Sequence, residues 1–259
     1  MSDREHIDDH LEDWEFDPQS LSVRMSQGRD GRQIIQMRVD MGILQLEVDG
    51  RPDGDSPEGY ASYFDYLNNQ VLYNGDDFVM NEEQCNEVDR EFVQFYHRRI
   101  CWLKLQEYDL AVLDADHTLG LMDFCQRHSP DEQWTVSHEQ YRPFVMFHRT
   151  QAAALAALEQ GESTAESATV VCAESAMHEI NQGLERMRSL FEEHNAEDDF
   201  DDDELVSRLT ELRESLREEY KVGRTIYERL ADAVASEQYE LAAKIRDELN
   251  RRGEADPTI

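Results

Sequence analysis

Asp114, Asp116 and His117, with His128 farther along, have the side-chain types that hold a metal ion. On a helix Asp114 and His117 share a face at i, i+3. No established ligand spacing is matched, however, and two ligands from one helix arise by chance, so no metal site is expected. Glu174 and His178, at i, i+4, read the same way. General acid–base chemistry needs a selected pair of carboxylates, and nothing in the spacing selects a pair among the 58 acidic residues. There is no G-x-S-x-G, no P-loop and no cysteine with an evident histidine partner. Arg51, in the turn-rich loop Gly50–Pro57, has the form of an anion hook. The plainer reading is a connection from strand to helix. Cys85, Cys101, Cys125 and Cys172 are scattered without a C-x-x-C pair, which argues against a zinc finger and a disulfide framework. These positions imply no catalytic residue, cofactor or small-molecule ligand.

The charge balance narrows the partners. The formal net charge is −33 over 259 residues, and the sequence pI is near 4.4. Residues 1–204 carry 46 acidic against 15 basic side chains, and residues 205–259 carry 12 against 10. Nucleic-acid binding needs a basic footprint, so direct binding is not expected. The N-terminus has no apolar run, and no stretch approaches the length of a membrane span. A reducing cytoplasm is the expected compartment.

The stretch Leu230 to Leu249 carries the strongest pattern. Leu230, Ala233 and Val234 lie on one helical face. Tyr239, Ala242, Ala243, Ile245 and Leu249 follow helical spacing after a turn at Glu237-Gln238. The paired alanines permit close backbone approach, and Tyr239 is expected as a wedge in the seam. The order Leu-x-x-Ala-Val-x-x-Glu-x-Tyr-Glu-x-Ala-Ala-x-Ile-Arg-Asp-x-Leu resembles the UVR motif of UvrB, UvrC and Clp-protease activators, over about residues 226–252. The resemblance implies a helical hairpin that docks on another hairpin. Its implied contacts are Leu230, Val234, Tyr239, Ala242, Ala243, Ile245 and Leu249, with Arg246 and Asp247 at the rim. No helicase or nuclease motif accompanies it.

The remaining elements must present that hairpin. Residues 1–19 read as a disordered acidic arm, with Trp14 and Phe16 as the large apolar side chains that could dock on the body. Residues 20–56 read as a β-hairpin and loop. Leu21, Val23 and Met25 alternate with polar residues before a turn at Gly28–Gly31. A longer run from Ile34 to Val48 follows, with Ile35, Met37, Val39 and Met41 on one face and a bulge at Gly42. Residues 57–194 read as a helical body. Pro57 begins a short helix, Asn81 with Gln84 caps a helix over about 82–105, and another runs over about 108–128. Ser129–Glu132, Ser137 with Gln140 and Ser163 with Glu166 give further starts, and Gly161 a stop. Tyr108-x-x-Ala111 resembles a tetratricopeptide helix weakly, without the expected glycine and tryptophan. The acidic run 195–204 reads as an extended linker. Leu205, Leu209, Leu212 and Leu216 step like a coiled-coil seam, predicting one long helix over about 204–236.

The sequence thus predicts a mainly α protein. Its parts are a helical-hairpin, tetratricopeptide-like body, a small N-terminal β-hairpin and a C-terminal antiparallel helix pair. The expected function is non-enzymatic: an adaptor that binds another protein or a second copy through its C-terminal hairpin, in excision repair or Clp-type proteolysis. Two alternatives stay open. One is a hydrolase or metal-dependent enzyme with a site among the acidic helices and the Arg51 loop. The other is an acidic decoy for a basic, DNA-binding partner.

Overall fold

The structure, a computed structural model, describes residues 7–75, 77–159 and 166–254, without the side chains of 166–169, 231 and 249–254. Residues 1–6 of the expected arm, the stop at Gly161 and the cap at Ser163 lie outside the described residues. The chain divides into two compact units, Met1–Ala152 and Ala153–Ile259.

The first unit joins an antiparallel sheet to helices. β1 (Val23–Gln27), β2 (Gln33–Val39) and β3 (Gly42–Glu47) form a three-stranded meander in that order. The expected two-stranded hairpin is therefore corrected. The run from Ile34 to Val48 is two strands, and the chain reverses at Asp40-Met41, with Val39 opposite Gly42. Met41, expected on the apolar face, caps the turn and is 94% exposed. Ile35 pairs with Leu46 and, with Met37, packs on Cys101, Trp102 and Ala111.

The described part of the acidic arm is not free. α1 spans Ile7–Leu11. Beyond it, Trp14 Nε1 donates to Ser22 Oγ at 2.6 Å, and Arg38 Nε donates to the Trp14 carbonyl at 2.9 Å. The Arg24 guanidinium lies 4.0 Å from the Trp14 ring centroid, and that of Arg38 lies 5.6 Å from Phe16. Two aromatic rings facing two sheet arginines favour docking over disorder.

Helices follow with boundaries set by their caps. Pro57–Gly59 forms only a 3-10 turn, because Glu58 and Gly59 both take positive φ. α2 (Tyr63–Asn74) starts instead at the Ser62 cap. α3 (Glu82–Leu105) has the predicted capping box of Asn81 and Gln84, and α4 (Tyr108–His128) pairs with it. α5 (Glu132–Glu139) is capped by Asp131 rather than Ser129. Ser137, expected to open a helix, lies near the end of α5, where its hydroxyl donates to Trp134 O at 2.6 Å. Pro143 sits in the first turn of α6 (Arg142–Glu159), where its missing N–H costs nothing. Tyr63, Leu67, Val88, Phe92, Leu121 and Phe124 form the core of these helices. Each fully buried large apolar side chain contributes roughly 1.5–3 kcal/mol.

Two buried ionic knots tie the sheet loops to α3. Arg98 makes a two-pronged pair with Asp114 (2.9 and 2.7 Å) and donates to the carbonyls of Glu47, Val48 and Gly50. Glu91, fully buried, accepts from the first amides of α2, Tyr63 N at 2.7 Å and Phe64 N at 3.0 Å. A carboxylate there complements the positive end of the helix. Arg51 and His117 complete the second knot, at 3.5 and 3.0 Å from Glu91.

In the second unit α7 (Glu166–Glu193) and α8 (Glu204–Glu219) run antiparallel, since Phe191 meets Phe200 and Asn181 meets Arg213. The acidic run 195–204, expected to be extended, folds as a 3-10 helix over Glu197–Asp202 inside this unit. Phe200 is the reason: it is buried edge-on against Phe191, with the Arg188 guanidinium 4.1 Å from its ring centroid. The expected long helix over 204–236 is also broken. α8 ends at Glu219, Lys221 takes φ +51°, and Val222 turns inward and is buried. α9 (Ile226–Ala235) and α10 (Tyr239–Glu254) follow as the C-terminal helix pair.

Candidate functional site

The C-terminal hairpin is built by its caps. Thr225 Oγ1 accepts from Glu228 N at 3.1 Å, and the Glu228 carboxylate accepts from Thr225 N at 2.9 Å. This reciprocal box satisfies the first free amides of α9. At the other end Glu237 adopts φ +57°, Glu237 N donates to Val234 O at 3.0 Å, and Gln238 N donates to Ala233 O at 2.8 Å. That pair of bonds is a Schellman cap, and it places the turn at the predicted Glu237-Gln238.

The seam is narrow. Ile226, Ala233, Ala242 and Ile245 are buried in it, with Leu230 and Tyr227 packed at its margin. Ala233 and Ala242 let the helices approach, whereas Ala243 is half-buried beside the seam. Tyr239 is not the expected wedge. It is the first residue of α10, past the end of the seam, and is 65% exposed. Val234 is 52% exposed, and Leu241, which the sequence reading did not single out, is 43% exposed. Tyr239, Ala243 and Arg246 recur at i, i+4 and i+7, so they form one stripe along α10. Arg246 and Asp247 are exposed and lie 3.6 Å apart. The Leu249 side chain lies outside those described.

Other contacts hold α9 to its own unit. The Tyr227 ring stacks on His178 of α7, with centroids 3.6 Å apart and planes inclined by 12°. Arg217 of α8 pairs with Glu228 and donates to Gly223 O at 2.7 Å. Burial pushes the Glu228 carboxyl up, but the hydrogen bonds from Arg217 and Thr225 outweigh it and hold the group below its ordinary value. A groove of about 1030 Å³ lies between α7, α8 and α9. The anchors Thr225, Tyr227 and Glu228 were missed in the sequence, although Thr-x-x-Glu is a readable start signal.

The other candidates have structural roles. Arg51 is not an anion hook: it is 1% exposed, bonded to Glu87 at 2.9 Å and Gln94 at 3.1 Å, and flanked by Asp53 and Glu91. Asp114 pairs with Arg98 and Asp116 with Arg149. His117 stacks on Phe95 at 3.7 Å, and His128 Nδ1 meets Phe78 O at 2.9 Å. Among the described residues no three His, Cys, Asp or Glu side chains group closely enough to hold a metal ion. Burial pushes the Cys101 thiol up to about 12 and raises Cys125 as well. Among the described residues no helix is long and apolar enough to cross a membrane.

Neither a curated protein nor a solved structure matches the chain. A family model, UVR, the UvrB/uvrC motif, matches residues 224–251, which run from just before the Thr225 cap through most of α10. Residues 224–251 therefore carry a UvrB/UvrC motif, a protein-interaction hairpin known from UvrB and UvrC.

Proposed function

We propose that the protein is a non-enzymatic cytoplasmic adaptor that docks, through its UVR hairpin, on a second helical hairpin of another protein or another copy of this chain. Excision repair and Clp-linked proteolysis are the pathways the motif suggests. The observation that carries this reading is the outward placement of Val234, Tyr239 and Leu241 on a hairpin already anchored by Tyr227 and Glu228. Large apolar side chains left outside a finished seam are the raw material of an interface. Arg246 and Asp247 beside them would set register more than affinity.

The test titrates purified full-length protein with the UVR hairpins of UvrB and UvrC, with that of a Clp activator, and with itself. Tyr239→Glu and Ala243→Arg should each weaken the productive pairing by roughly ten-fold or more, because an aromatic anchor is lost or a long charge blocks the stripe. Helix content should be unchanged for Tyr239→Glu, whose side chain lies outside the seam. Equal binding by both variants and the parent removes the hairpin as the dock. The decoy alternative is separated by salt: an acidic decoy complex should dissociate near about half-molar chloride, and an apolar one should persist.

A further inference from the structure

The first unit holds a second feature, unrelated to the hairpin, that its fold does not account for. Arg99 of α3 is 1% exposed. Its Nη1 donates to Thr118 Oγ1 at 3.0 Å, and its Nε reaches His148 Nδ1 at 3.4 Å. Both acceptors are neutral oxygen or ring nitrogen. Among the described residues Nη2 has no hydrogen-bond partner, and no carboxylate lies within ion-pair distance of Arg99. The nearest candidate, Asp114, is taken in two-pronged fashion by Arg98. The contrast with Arg51 and Arg98 is sharp, since both of those buried arginines have carboxylates in contact. A buried guanidinium without an anion is costly, and an arginine retains its charge where a lysine would shed its proton.

Arg99 opens onto a pocket of about 620 Å³ between α3, α4, α5 and the start of α6. Its walls are apolar: Phe92, Val93, Tyr96, Met122, Phe144 and Val145. Asp89, Thr118, Ser137, His138 and Tyr141 share the lining with Arg99. Thr118 Oγ1 donates to Asp114 O at 2.8 Å, and His138 pairs with Asp89 at 2.9 Å while stacking on Phe92. The size falls within the range of small-molecule sites, and a few charged and polar groups set among apolar walls are the usual pattern for orienting a ligand. Arg99 is the buried cation of this set, and Asp89 is held by His138.

We propose that this pocket binds an apolar monocarboxylate, whose carboxylate is received by the Arg99 guanidinium and whose ring or short acyl chain lies along the aromatic wall. A planar fork suits a carboxylate in two-pronged contact. A phosphate dianion would bring more charge than one arginine offsets. Burial pulls the Arg99 guanidinium down to about 10, with Asp114 and Tyr96 opposing, so it remains charged at neutral pH. A bound carboxylate would supply the missing counter-charge.

The test uses full-length protein, 4-phenylbutyrate and its uncharged amide, 4-phenylbutyramide, followed by calorimetry. The carboxylate should bind roughly ten-fold or more tightly than the amide, as expected for a charge-assisted hydrogen bond out of water. Arg99→Gln should abolish that difference, and Phe144→Ala should weaken both ligands. If Arg99→Gln does not fold, Phe144→Ala carries the test: weaker carboxylate binding supports the site, and unchanged binding overturns it. Equal affinity of acid and amide for the parent protein, or no binding of either at millimolar concentration, also overturns it. None of these outcomes bears on the hairpin as a protein dock.

Discussion

His178 fixes the position of α9 with an imidazole stacked on Tyr227. Burial holds its pKa below the ordinary value, with the Glu179 carboxylate pulling the other way. The unfolded chain, whose histidine titrates near about 6.5, therefore binds this proton more readily than the folded one. A group with that sign contributes its full stability above about pH 6.5 and loses it as pH falls toward the folded value. Acidification from about pH 7.5 to about 5.5 should thus loosen α9 from α7 before the rest of the second unit responds. Hydrogen exchange at the α9 amides across that window measures it. His178→Phe keeps a ring against Tyr227 and should flatten the profile, so an unchanged profile in that variant would contradict the assignment. Glu228 acts in a separate window. Its carboxyl is held low, so its pairing with Arg217 fails only below the ordinary glutamate range.

Helix starts and helix stops differ in how plainly the chain announces them. Asn81 with Gln84 was readable as a start because the side chains themselves make the cap. Four stops were harder. α3, α7, α8 and α9 all end in Schellman caps whose left-handed residue is Gln106, Asn195, Lys221 or Glu237 rather than glycine. With no glycine to mark Lys221, α8 and α9 read as one helix, and the Thr225 start inside that run passed unnoticed. The strand reversal at Asp40-Met41 was hidden differently, because Gly42 beside it read as a bulge within one strand. The hairpin turn at Glu237-Gln238 was legible through the helical spacing on either side of it, and so were its seam alanines. Tyr239 was misread because its outward position depends on where α10 begins. The missing glycine also gives a handle on stability. A left-handed residue with a Cβ costs about 1–2 kcal/mol, partly recovered as lower chain entropy in the unfolded state. Glu237→Gly should therefore stabilise the hairpin by up to about 1 kcal/mol. It should slow exchange of the Gln238 amide without touching Val234 or Tyr239. Faster exchange in the glycine variant would mean that Glu237 makes a compensating contact.

The −33 net charge falls almost entirely on the solvent-facing surface. Arg51, Arg98 and Arg99 are 1, 5 and 1% exposed, so three of the 15 basic side chains in residues 1–204 lie inside the fold. Glu91 and Asp114 are buried beside them, so the charge inside the fold nearly cancels while it ties loops and helices together, and the excess negative charge faces water. Exposed pairs such as Arg149 with Asp116 and Arg32 with Glu47 offset little of it, since such pairs contribute on the order of 0–1 kcal/mol and weaken in salt. Self-repulsion spread over a surface is screened more readily than a buried pair, because the Debye length shrinks from about 30 Å at 0.01 M to about 3 Å at 1 M salt. The two effects have opposite signs, and the long-range one should win here. The melting temperature of the full chain should rise with sodium chloride between about 0.01 and about 0.5 M, and Arg98→Met should shift the whole curve down without changing its slope. Thermal melts across that series decide the matter. A melting temperature that falls with salt would assign the stability to exposed ion pairs instead, and the acidic surface would then be a scaffold of contacts rather than a source of strain.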